Sequence, residues 1–178
     1  MTDFQIIPAK PYHCGAMARR ARAEHRAAVG ALGLDLHREL SARFAETIEP
    51  KAWLIDGKLA ALGGVMGTGL CPGGYVWLAV TDEVFKHRVA FIREAKRQLA
   101  LVMESRRELA TVLVPEDQAA LRLAIYLGFH VRDQGLGSPA RSRAERHALQ
   151  FYLESAKDLR IAMGTGGAIA VGYHLEAA

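Results

Sequence analysis

Lys86, His87 and Arg88 stand in a row where a β-rich run, Tyr75–Val80, gives way through Thr81–Glu83 to a long amphipathic segment. Basic side chains beside a helix start suit an anion. The first backbone N–H groups of a helix lack partners, and the helix dipole favours negative charge there. A phosphate group is a common guest of such a turn. The stretch Thr81–Ala90 also reads as an ordinary strand-to-helix connection with a solvated basic turn. His87 is a candidate for proton transfer, since an ordinary imidazole titrates near neutral pH, at about 6.5. A solvent-facing or phosphate-facing histidine is the plainer reading of it. Tyr75, Asp82 and Glu83 are the other ionisable groups nearby. His37 and Glu39, upstream on a helix, could border an acceptor site.

Other constellations carry less chemistry. His13, His25, His130, His147 and His174 show no ligand spacing with cysteines or carboxylates, so no metal is expected. Cys14 and Cys71 lack metal-type spacing and read as free thiols in a reducing, cytoplasmic compartment. Gly164-Thr-Gly-Gly167 lacks the Lys-Ser/Thr of a phosphate loop and reads as a turn or strand kink. Arginines cluster at Arg19, Arg20, Arg22 and Arg26, and again at Arg141, Arg143 and Arg146. Without interleaved aromatics these are solvated helix faces, and nucleic acid is not an expected partner. The net charge of +4 is mild and suits an anionic ligand without demanding one. No apolar run approaches the ~20 residues of a membrane span. The N-terminal residues lack a basic region followed by an apolar core, so no secretory signal is expected.

The chain that must position these residues has 178 of them, which fits a single domain over 1–178 with a real core. Hydrophobic residues at 51% against 24% charged mark a globular composition rather than a disordered one. Phe4–Ile7, ended by Pro8, reads as the first strand. Tyr12–Val29 is Ala- and Arg-rich and reads as a helix, and Leu34–Thr47 as a second. Ala52–Ile55 and Leu59–Met66 flank Asp56-Gly57, a hairpin signal. Tyr75–Val80 is near-continuously apolar, a strand buried on both faces. Val84–Arg106 repeats Val84, His87 or Arg88, Phe91, Ala95, Leu99 and Val102 at helical spacing. Leu109–Val114 is the next strand. Asp117 can cap the following helix, whose packing side is Leu121, Ala124, Ile125 and Tyr126. Gly128 ends that helix as a left-handed cap with Phe129 as its apolar anchor. His130–Asp133 is a short strand. Ser138-Pro139 starts a helix over Ala140–Lys157. Leu159–Leu175 is an interrupted strand or terminal hairpin, and Ile169–Leu175 could pair across a homodimer.

This order of elements resembles the GNAT acyltransferase superfamily. The family often shows Asn, then Ala three residues on, then Tyr, then Leu-Gly-Phe. Asp117, Ala120, Ala124 and Leu127-Gly128-Phe129 hold those places here. The family's phosphate signature, Gln/Arg-x-x-Gly-x-Gly/Ala, falls on Phe85-Lys86-His87-Arg88-Val89-Ala90. Ala90 fits it, whereas Phe85 and Arg88 depart from it. The strand Val76-Trp-Leu-Ala-Val-Thr-Asp82, with Phe91 and Arg93 on the long helix, is also similar to GNAT-like proteins of tailed bacteriophages. That includes relatives of the internal virion proteins of short-tailed phages.

The resemblance implies an α+β fold with a mixed, mostly antiparallel sheet and helices on both faces. It implies acetyl-CoA, or another acyl-CoA, as cofactor and the amine of a small molecule or protein as acceptor. Lys86, His87, Arg88, Val89 and Ala90 would hold the pyrophosphate. The backbone of Leu78 and Val80 would align the pantetheine arm, and Asp117 would take the family's Asn position. Proton transfer would fall to His87 or Tyr75, or to a solvent chain. The tyrosine that often serves the departing thiolate is Ala124 here, and Tyr126 points elsewhere on its helix. The helix at Ala140–Lys157 would replace a loop that borders the acceptor cleft. The alternative is a catalytically inert GNAT-like phage protein, prophage-encoded or virion-associated, with a structural or interaction role.

Overall fold

The computed structural model describes residues 3–31, 33–67, 73–106, 108–113, 117–131 and 171–176. The helix expected at Ala140–Lys157 and the Gly164–Gly167 kink lie outside them. The chain divides into two compact units. One is built on Met1–Gly67 with Val76–Glu94, the other on Thr68–Tyr75 with Ala95–Ala178.

The first unit opens on β1 (Phe4–Pro8), which pairs antiparallel with β2 (Lys51–Ile55) from Phe4↔Ile55 to Pro8↔Lys51. β2 pairs antiparallel with β3 (Lys58–Met66). The tight turn between them holds Asp56 and Gly57 at φ 48° and 72°, the positive values that the Asp-Gly pair anticipates. Next to β3 lies β4 (Gly73–Val80), whose residues from Val76 onward belong to this unit. The two strands approach closely: a Cβ on Gly63 would lie 2.5 Å from the Trp77 carbonyl oxygen. Trp77 is buried, and its indole N–H donates to Thr47 Oγ1 at 2.7 Å.

The helices differ from the sequence reading at two joints. Tyr12–Val29 is not one helix but α1 (Tyr12–Arg20) and α2 (Ala23–Ala31). At Ala21 the backbone turns extended, with φ −56° and ψ 151°. The Arg22 N–H then bonds to Val80 rather than into a helix. A tertiary bond overrides the local helix propensity of an Ala/Arg-rich run. Likewise Val84–Arg106 is α4 (Glu83–Lys86) and α5 (Arg88–Met103), broken at His87, which has φ −121° and ψ 30°. Between these pairs, α3 (Leu36–Glu46) starts on Asp35, whose carboxylate accepts the Arg38 N–H at 2.8 Å. Phe91 is fully buried, with its ring 5.0 Å from Trp53, and pins the start of α5 to the core.

The second unit holds β5 (Glu108–Leu113), paired antiparallel with β7 (Val171–Glu176) from Glu108↔Glu176 to Leu113↔Val171. On the other side of β7 lies β6 (His130–Val131), also antiparallel. The first residues of β4 pair parallel with β5, and that register runs from Gly73↔Glu108 to Tyr75↔Ala110. The sheet is therefore mixed and mostly antiparallel. α6 (Gln118–Leu127) begins on Asp117, whose Oδ1 accepts the Ala120 N–H at 3.0 Å. It ends on Gly128 at φ 100°, as expected, and Phe129 is buried just beyond. The expected packing side of α6 needs correction: Ala124 is buried, but Ile125 and Tyr126 are 59% and 62% exposed. No helix among the described residues is long and apolar enough to cross a membrane.

Candidate functional site

The junction between β4 and α5 gathers most of the candidate residues into the first unit. Along β4, Trp77 and Ala79 are buried while Val76 and Leu78 are half-buried, the alternation of a pleated strand. Thr81 closes the strand. Its N–H donates to the Ala60 carbonyl at 2.9 Å, and its hydroxyl lies 3.3 and 3.2 Å from the Leu59 and Ala60 carbonyls. α4 then forms a single tight turn, with Val84 N–H on Thr81, Phe85 N–H on Asp82 and His87 N–H on Val84.

α5 starts afresh after the break. Its first internal bond runs from the Phe91 N–H to the His87 carbonyl at 3.0 Å. The N–H groups of Arg88, Val89 and Ala90 precede that bond and have no carbonyl of their own helix to meet. They also lie at the positive end of the helix dipole. The side chains of Arg88 and Val89 are exposed, and Ala90 is half-buried. The junction therefore presents open amides and a guanidinium on the same turn, which fits an anion.

The basic residues are not equivalent. Lys86 is ion-paired with Glu83 at 2.9 Å, and this hydrogen bond from the ammonium holds the Glu83 carboxyl below its usual range. Much of the Lys86 charge is thus answered locally. Arg88 carries the charge of the α5 first turn. His87 is half-exposed in the break itself.

Leu78, Val80, Lys86, His87, Arg88, Val89 and Ala90 therefore share one junction. Tyr75 and Asp117 belong to the second unit. Tyr75 is buried in β4, and Asp117 is buried with its carboxylate engaged as the cap of α6. Of the weaker candidates, Glu39 is buried and ion-paired with Arg43 at 2.7 Å, whereas His37 is exposed.

Arg22 is a residue the sequence reading missed at this site. Its backbone N–H donates to the Val80 carbonyl at 3.4 Å. Its guanidinium lies 3.1 Å from Glu24 and 3.7 Å from Asp82, and 4.6 Å above the Phe85 ring. No local signal marks it, because it sits inside an unbroken helical pattern. Only the fold brings it to the end of β4.

No protein-family model matches the sequence, and no curated protein matches it by sequence. Solved structures match it by fold. The PaiA N-acetyltransferase of Thermoplasma acidophilum, in complex with coenzyme A, aligns at TM-score 0.60 and 8% identity over 98% of this chain and 99% of its own. A GNAT-family acetyltransferase from Streptococcus pneumoniae aligns at TM-score 0.52 and 12% identity over 98% and 100%. The ribosomal-protein-S18-alanine N-acetyltransferase of Escherichia coli aligns at TM-score 0.55 and 14% identity over 98% and 94%. The chain has the fold of GNAT acetyltransferases.

Proposed function

We propose that the protein is an N-acyltransferase that moves an acetyl or related acyl group from acyl-CoA to an amine. The observation that carries this reading is the β4–α5 junction, with the open amides of Arg88, Val89 and Ala90 on a GNAT fold. Those amides and the Arg88 guanidinium hold the pyrophosphate. The Leu78–Val80 backbone aligns the pantetheine arm. Acyl-CoA supplies a thioester carbonyl open to attack by an amine. The amine attacks that carbonyl, the C–S bond breaks, and coenzyme A leaves as its thiolate, which is protonated from solvent. The amine proton passes through a solvent chain to the half-exposed His87, rather than to the buried Tyr75, because the pantetheine arm separates the thioester from the pyrophosphate turn beside His87. Asp117 contributes by fixing the first turn of α6. The acceptor is the amine of a small molecule or protein.

Calorimetric titration with acetyl-CoA tests this. The protein is expected to bind, and Arg88→Glu to weaken binding by about tenfold, the scale of one lost charge-assisted contact. Affinity unchanged by the charge reversal would remove the proposed phosphate site. Silence at millimolar acetyl-CoA would instead favour an inert GNAT-like protein. One observation already leans that way: Ala124 is buried where the family often has its tyrosine, and Tyr126 faces solvent.

A further inference from the structure

The elbow between α1 and α2 lies on the end of β4. Ala21 forms an antiparallel bridge with Thr81, and the Arg22 N–H meets the Val80 carbonyl at 3.4 Å. Strand alternation decides which edge is covered. The Thr81 N–H points to β3, where it bonds to Ala60. The N–H and carbonyl of Val80 therefore point to the opposite edge. That is the edge the pantetheine arm needs under the function proposed above. One backbone carbonyl thus has two claimants, the Arg22 amide and the cofactor.

The hydrogen bond that fastens the elbow to β4 is long. A 3.4 Å separation is long for an N–H···O bond. The Arg22 side chain is 11% exposed, whereas the carboxylates that face it, Glu24 and Asp82, are 62% and 79% exposed, so water screens these ion pairs from the carboxylate side. The stack on Phe85 adds an apolar hold of similar modest size. This fastening closes the edge in the free protein, and lifting it exposes Ala21 and Arg22, both buried, a cost that the bound cofactor must offset.

We propose that the Ala21–Arg22 elbow is a strap that competes with the acyl cofactor for the Val80 carbonyl and lifts from β4 when the pantetheine arm binds. This rests on the acyl-CoA reading. In the closed form the strap lowers apparent cofactor affinity by the fraction of molecules that are shut.

Acetyl-CoA titrated calorimetrically into the full chain and into Arg22→Ala and Arg22→Pro tests the strap. Proline removes the N–H itself, and Ala21 already has the extended geometry favoured before proline. Alanine keeps the N–H but loses the ion pairs and the stack. Both variants are expected to bind about threefold to tenfold more tightly than the wild type, the worth of one modest hydrogen bond. The Arg22 amide of the wild type is expected to exchange faster with solvent at saturating acetyl-CoA. Equal or weaker binding by folded variants, with Arg22 exchange unchanged, overturns the strap and leaves the acyl-CoA reading standing. Silence from all three proteins overturns both. Arg22→Ala carries the test if proline unfolds the chain.

Discussion

Arg88 occupies the place where the GNAT signature has a glycine that lets the pyrophosphate approach the backbone. Under the proposed function, Arg88 supplies charge there in place of that bare approach. Its side chain is exposed. This substitution was readable from sequence, since it needs only the position in the motif. The role of Arg22 was not, because its partners at Val80, Asp82 and Phe85 are remote in the chain. His13 illustrates a residue whose behaviour only burial reveals. Burial lowers its pKa from the ordinary 6.5, and its Nδ1 accepts the Lys10 N–H at 2.8 Å. The unfolded chain takes up that proton near the ordinary pKa, while the folded chain resists it to lower pH. The stabilisation is therefore complete above pH 6.5 and is lost as pH falls through the lowered folded value. Urea midpoints of the wild type are expected to fall between about pH 7.5 and pH 5, and those of His13→Gln to fall less. Equal pH slopes in the two proteins would contradict this account of His13.

At the scale of elements, periodicity located the segments but not the joints. The Leu34–Thr47 reading located α3, and Asp56-Gly57 marks the hairpin with the positive φ values that the structure shows. The break at Ala21 escaped because it lies in a run of good helix formers, and the break at His87 because the apolar spacing on either side of it stays helical. The first is set by a bond to a distant strand. At the second, the His87 N–H closes the α4 turn on Val84 while its carbonyl starts α5. α6 was legible at both ends, through Asp117 and Gly128, but not on its face, because Ile125 and Tyr126 are apolar and yet exposed. The contact between β3 and β4 gives a test at this scale. An added Cβ on Gly63 would meet the Trp77 carbonyl oxygen at 2.5 Å and Leu78 Cδ1 at 2.9 Å. The backbone oxygen cannot move without shifting β4. Gly63→Ala is expected to cost about 1–3 kcal/mol in denaturant unfolding, the range for overpacking. A melting curve like that of the wild type would show that the strands are not so tightly apposed.

For the whole molecule, the order of strands and helices carries more information than residue identity. Structures of 8% to 14% identity align over nearly the full length of this chain. The GNAT resemblance was legible from element order and from Leu127-Gly128-Phe129, while the altered signature at Phe85–Ala90 left the chemistry less so. The proposed anion site rests largely on backbone amides, which a change of side chain leaves in place. Backbone amide resonances followed by NMR during an acetyl-CoA titration test that claim most directly. The account predicts that the shifts concentrate at Leu78–Val80 and at Arg88–Ala90. Saturation with no change at the Arg88, Val89 and Ala90 amides would contradict it.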